Sequence, residues 1–148
     1  ERTLDRLLGL GVVPIINEND SLASNEIRFG DNDRLSALVA NLVRAEALVL
    51  LTDVDALYTA PPSQPGSRRV EYVPNVIDAL GDIQVSGSGS KVGTGGMVTK
   101  LHAAQIATAA GCEMVIANGE KPEVLYDIVD GKRVGTRFLI PKSEEELL

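Results

Sequence analysis

Ala47-Leu48-Val49-Leu50-Leu51, running straight into Thr52-Asp53, is the stretch that decides the fold. A short, continuous apolar run of this kind, rich in Val and Leu and closed by polar residues, suits a strand covered on both faces, as strands of parallel sheets are. Working outward, Met114 to Ala117 and Val12 to Ile16 read the same way, and Val134 to Ile140 gives a weaker version. Pro14 removes one ladder donor, so it fits best at a strand's start or edge. Between the runs lie longer stretches with helical spacing. Leu4, Leu7 and Leu8 form one stripe, ended by Gly9 and Gly11, and Leu35, Leu38, Val39 and Leu42 form another, with Asp31 or Asp33 as its N-cap. A third spans roughly Val98 to Ala110 and stops at Gly111; a fourth follows Pro122 through Val124, Leu125, Ile128 and Val129 to Gly131. Alternation of strand and helix predicts an α/β fold, a parallel sheet with helices on its faces. Residues 17–33, 60–69 and 86–96 lack periodicity, and the second, holding Pro61, Pro62, Pro65 and Gly66, reads as a surface loop.

The chain of 148 residues is the size of one domain or a piece of one, and with 44% hydrophobic residues it can form a core without staples. Cys112 is the single cysteine, so no internal disulfide is possible. Against 21 acidic residues stand 14 basic ones, and the net charge of -7 argues against a broad nucleic-acid footprint and against an acidic membrane surface. No apolar run approaches the ~18 residues that span a bilayer, and Glu1-Arg2-Thr3 begins no signal pattern. The expectation is a soluble, cytoplasmic protein with neither nucleic acid nor membrane as partner. Glu144, Glu145 and Glu146 read as a short solvated acidic run.

Three segments have the means for chemistry. Ser86 to Gly96, rich in Gly and Ser, runs into a helix bearing Lys100. Glycines let backbone N–H groups face a ligand, a helix N-terminus adds unpaired donors, and Lys100 adds a full charge, so phosphate is the natural guest. A flexible surface loop is an equal reading. The spacing matches neither a Walker loop nor a dinucleotide fingerprint, because Val92 stands where the third glycine belongs, and this excludes a dinucleotide-dependent oxidoreductase. Asn17-Glu18-Asn19-Asp20, Glu26 and Gly30-Asp31-Asn32-Asp33 gather acceptors after a strand and before a helix, where ligands of open α/β sheets bind. Such a set can hold the ammonium and carboxylate groups of an amino acid, or can simply cap helices and turns. Ser36 occupies the sixth position from Asp31, where a calcium loop needs glycine. Thr52 and Asp53 lie at the carboxyl end of the strongest strand, where a nucleotide can sit. His102, the only histidine, excludes a His-based metal cluster or triad and reads as a surface residue; Cys112 opens a buried strand without metal-binding neighbours.

Taken together, LTDVDALY (51–58), VPIINEND (13–20) with Glu26-Ile27 and GDND (30–33), and GTGGMVTK (93–100) resemble the amino acid kinase family, and within it the members that phosphorylate glutamate. The resemblance continues through IANG (116–119) and VGT (134–136) and covers essentially the whole chain. It implies a three-layer αβα sandwich with a mainly parallel sheet, carbamate kinase-like. It implies that Asp20 and Asn32 bind glutamate, with Asn17 shaping the pocket, and that Asp33 orients lysines around the transferred phosphoryl group. Thr52, Asp53, Thr94, Gly95, Gly96, Met97, Val98, Thr99 and Lys100 would bind ATP, with Lys100 countering charge and Mg2+ travelling with the nucleotide. The reaction would convert the glutamate side chain to an acyl phosphate, the first step of proline synthesis. It also implies a homo-oligomer, and proline as a feedback inhibitor. Family members begin with a lysine-bearing strand and glycine-rich turns that do not precede Glu1. Residues 1–148 are therefore expected to be the C-terminal, nucleotide-binding part of the kinase domain, without the RNA-binding-like PUA domain of some bacterial members and inactive alone. The alternatives are a nucleotide-binding module without catalysis, or a relative acting on acetylglutamate or aspartate.

Overall fold

A computed structural model describes residues 2–18, 31–86 and 95–147. Among the described residues four strands form one sheet: β1 (Ala47–Thr52), β2 (Tyr72–Val73), β3 (Glu113–Asn118) and β4 (Thr136–Phe138), in the order β1-β3-β4-β2. β1 and β3 run parallel, with Ala47 opposite Glu113 and Thr52 opposite Asn118, so their carboxyl ends coincide. β2 and β4 are also parallel, but β3 and β4 are antiparallel. The sheet is thus mainly parallel, as expected, with one antiparallel pair. The cause is local. Only α5 (Val124–Val129) separates β3 from β4, and six helical residues rise ~9 Å, too little to return the chain along a strand about 20 Å long. β4 therefore starts beside the end of β3, with Thr136 opposite Ile116.

α2 (Asp31–Leu42), α3 (Val76–Ser86) and α4 (Gly95–Ala109) cover one face. Their core holds Ala37, Ala40, Val76, Leu101, Ala103, Ala104 and Ala107 against Leu50, Met114, Ile116 and Phe138. The opposite face packs Val115 and Ala117 against Ile128 of α5. Alternate residues of β3 thus enter opposite cores, which is why its sequence is apolar without interruption and why three layers form. Leu101, Met114, Ile116 and Phe138 are fully buried, each contributing roughly 1.5–3 kcal/mol of apolar transfer.

The predicted helices exist, including α1 (Arg2–Gly9), and Gly111 and Gly131 hold φ of 80° and 75° just past α4 and α5. Residues 12–16 are a correction: they form no strand, and Val13 and Ile15 are 84% and 97% exposed. A strand exists only as a paired ladder, and among the described residues no ladder reaches this segment. Asp31 and Asp33 lie within the first turn of α2 rather than ahead of it, so the expected capping role of Asp33 is also corrected. β2 and α3 carried no expectation. For α3 a signal was present: Val76, Ala79, Leu80 and Ile83 have helical spacing after Asn75, whose Oδ1 accepts from Ile77 N–H at 3.0 Å.

Candidate functional site

Small side chains determine how α2 meets α4. Ala37 and Ala40 on one helix and Ala103, Ala104 and Ala107 on the other are buried, and with side chains this small the two helices can approach closely where they pack. Asn41 Nδ2 donates across this seam to the Ile106 carbonyl at 3.2 Å. Asp33 stands four residues before Ala37, and Lys100 three before Ala103, so each continues its alanine stripe toward the helix N-terminus. There they meet. Lys100 Nζ donates to Asp33 Oδ2 at 3.1 Å, with both side chains largely withdrawn from solvent at 14% and 19% exposure. Thr99 Oγ1 lies 3.1 Å from the same oxygen and 2.8 Å from the Gly96 carbonyl, and its one hydrogen can serve only one of them at a time. An ammonium group carries three hydrogens, so Lys100 keeps donors for a further acceptor.

Topology fixes which end of the sheet this pair occupies. Short connections join α2 to β1 and α4 to β3, and each helix packs on the strand it precedes, so helix and strand run in opposite directions. The 15 residues of α4 rise about 22 Å, matching the six residues of β3. Asp33 and Lys100 therefore lie at the level of the carboxyl ends of β1 and β3. Those ends carry Thr52 and Asp53. Thr52 Oγ1 donates to Asp53 Oδ1 at 3.2 Å and accepts from Val54 N–H at 3.0 Å. Gly119 N–H donates to the Thr52 carbonyl at 2.8 Å. A Cβ at Gly119 would stand 3.3 Å from that of Leu51, so the backbones approach closely here.

Beyond Asp53 the chain makes a hairpin-like excursion, bridged antiparallel at Tyr58 and Arg69 and folded back by Thr59 N–H to the Arg68 carbonyl at 2.9 Å and Ser67 Oγ to the Ala60 carbonyl at 2.7 Å. Its base is held by Thr136, which is fully buried. Thr136 Oγ1 donates to the Val70 carbonyl at 2.6 Å and accepts from Leu57 N–H at 2.9 Å. At the neck, Tyr58 donates its phenolic hydrogen to Asp55 Oδ2 at 2.8 Å, which holds that phenol above its ordinary value. Burial pushes the Cys112 thiol up, aided by the neighbouring Glu113 charge, which keeps it protonated and inert at neutral pH.

Of the residues expected to bind or react, Asp33, Thr99 and Lys100 are brought into direct contact, and Thr52 and Asp53 share one turn at the same end of the sheet. Gly95, Gly96, Met97 and Val98 form the first turn of α4, so this part of the expected loop is helix, and its opening N–H groups have no partner within the helix. Asn17 and Asn32 are exposed. Asp20 and Thr94 lie outside the described residues. His102 is exposed on α4 and Cys112 is buried before β3, as read from the sequence. Thr136 and Gly119 carried no expected role; only their place in resembling segments marked them. Among the described residues no helix is long and apolar enough to cross a membrane.

Residues 1–118 match the family described as the Amino acid kinase family. The chain is 80% identical over 145 residues to the glutamate 5-kinase of Bifidobacterium longum strain DJO10A, covering 97% of this chain and 37% of that protein. To the glutamate 5-kinase of Cutibacterium acnes it is 62% identical over 137 residues, covering 92% of this chain and 34% of the other. It thus spans little more than a third of the length of these relatives. Among solved structures, UMP kinase from Ureaplasma parvum superposes with a TM-score of 0.58 at 13% identity, over 93% of this chain and 52% of that one. Carbamate kinase from Giardia lamblia bound to AMP-PNP gives 0.57 at 24% identity, over 74% and 35% respectively. These two likenesses establish the fold.

Proposed function

The chain belongs to the amino acid kinase family, and from that premise we propose that it carries the nucleotide side, and part of the acceptor side, of an enzyme that phosphorylates the side-chain carboxylate of L-glutamate. An oxygen of that carboxylate attacks the γ-phosphorus of ATP, the bond to the β,γ-bridging oxygen breaks, and ADP leaves with the electron pair. The product is L-glutamyl 5-phosphate. The acceptor is already ionised, so no base is needed to deprotonate it, and catalysis reduces to positioning and charge neutralisation.

The observation that carries this reading is the Lys100–Asp33 contact, which sets a cation with spare donors at the carboxyl ends of the parallel strands. The high identity to relatives named as glutamate 5-kinases supports glutamate as the acceptor. In this reading Lys100 stabilises charge on the transferring group while Asp33 holds its direction. Thr52, Asp53 and the 94–100 segment bind ATP, and the opening N–H groups of α4 receive phosphate oxygens. Asp20, Asn32 and Asn17 bind the glutamate. Among the described residues no three His, Cys, Asp or Glu side chains converge on a metal position. Magnesium is commonly held by phosphate oxygens and water with only one or two carboxylates. When bound, it would neutralise β and γ oxygens.

The test is ADP release from ATP, measured with the protein expressed from its whole reading frame. Glutamate-dependent release is expected, with N-acetylglutamate and aspartate inert as acceptors. Turnover with either of those in place of glutamate overturns the substrate assignment, and the absence of any acceptor-dependent release overturns the activity.

A further inference from the structure

We infer that Thr136 is a positioning residue for the nucleotide, acting through the backbone of the 52–57 segment; the inference rests on the nucleotide reading of Thr52 and Asp53. That segment leaves the end of β1 and is tied to its surroundings at both ends. At the start, Gly119 N–H holds the Thr52 carbonyl. At the far end, Leu57 N–H donates to Thr136 Oγ1, 79 positions along the chain. The same hydroxyl donates its only hydrogen to the Val70 carbonyl at 2.6 Å. One side chain thus satisfies a donor and an acceptor on the two arms of the 57–70 excursion, and it is fully buried, so water cannot replace it. Leu57 and Val70 are further joined by Val70 N–H to the Leu57 carbonyl at 2.8 Å.

The hydroxyl is itself placed by its neighbour. Gly135 has φ of 63°, and a Cβ there would lie 1.9 Å from the Ile116 carbonyl oxygen. β4 therefore begins closely apposed to β3, and this brings Thr136 under the base of the excursion. Asp53, Val54 and Asp55, between the two ties, are exposed. The hydrogen bonds of Thr52 with Asp53 and Val54 and of Tyr58 with Asp55 shape the segment locally, and the two ties anchor it to the sheet.

The experiment compares Thr136→Val, which keeps the shape and removes the hydroxyl, with Thr136→Ser, which keeps the hydroxyl, in the protein expressed from its whole reading frame. The probes are ATP affinity by equilibrium titration and the KM for glutamate. Thr136→Val is expected to weaken ATP binding about tenfold, or ~1.4 kcal/mol, with the glutamate KM within about twofold. Thr136→Ser is expected to restore ATP affinity to within about twofold. If Thr136→Val does not fold, Thr136→Cys, a weaker donor and acceptor of similar size, is held to the same split between the two substrates. Unchanged ATP affinity in the variant, equal losses for both substrates, or no rescue by serine would each overturn the positioning role while leaving the nucleotide site standing. Failure of the unsubstituted protein to bind ATP would overturn both.

Discussion

At the scale of single residues, the contact between Lys100 and Asp33 shows how helical periodicity places a charged pair. Both side chains extend buried alanine stripes, Asp33 through Ala37 and Ala40, Lys100 through Ala103, Ala104 and Ala107. The packing that aligns the alanines necessarily aligns the charges one turn further on. An ion pair this far withdrawn from solvent loses much of its Coulombic gain to desolvation, so the consequence of this one lies in orientation: Lys100 arrives with one donor engaged and the others directed elsewhere. Replacing Lys100 with Met is expected to lower kcat about 10²- to 10³-fold, the usual effect of removing one preorganised charge stabiliser. The glutamate KM is expected to change by no more than about threefold. Steady-state kinetics check this, and a rise in the glutamate KM equal to the fall in kcat would mean that Lys100 binds substrate rather than stabilising transfer. The pair was legible in the sequence as residues belonging to similar family segments. The direct contact of Thr99 with the same carboxylate oxygen was not, because it depends on how deeply α4 sits against α2.

At the scale of elements, the turns into β3 and β4 show two glycines with different jobs. Gly111 and Gly135 both have positive φ, at 80° and 63°. A Cβ at Gly111 would meet nothing within 4 Å, whereas one at Gly135 would collide with the Ile116 carbonyl. Gly111→Ala should therefore cost only the left-handed backbone penalty, roughly 1–2 kcal/mol. Gly135→Ala adds separation of β3 from β4 and is expected to cost about 3 kcal/mol or more. Urea unfolding of the two variants side by side measures the difference, and similar midpoints would contradict the close-approach role of Gly135. The helix-ending glycine at 111 was readable from its place after an apolar stripe. The strand-starting glycine at 135 was not, since the obstacle it avoids belongs to a strand far away in sequence. For the same reason residues 12–16, with the composition of a buried strand, stand unpaired among the described residues.

At the scale of the whole molecule, one end of the sheet gathers segments that are distant in sequence: the starts of α2 and α4, the ends of β1 and β3, and the 57–70 excursion hung from Thr136. A ligand held across such a set binds the folded state alone, so ATP should raise the unfolding temperature in proportion to the logarithm of its concentration. At a hundredfold excess over Kd the stabilisation should be ~2.7 kcal/mol. Scanning calorimetry across an ATP series tests this, and a midpoint independent of ATP would remove the nucleotide from the picture. The sequence by itself determined the α/β class, the two long strands and most helix boundaries. Each of these is written along the chain, in the period of apolar residues and the positions of Gly, Pro and Asp. Only the tertiary structure decided that β4 runs against β3, that the oxygen of Asp33 serves both Thr99 and Lys100, and that a threonine near the end of the chain holds the loop after β1. Those outcomes depend on which surfaces meet, and local propensity carries no information about the partner that burial will select.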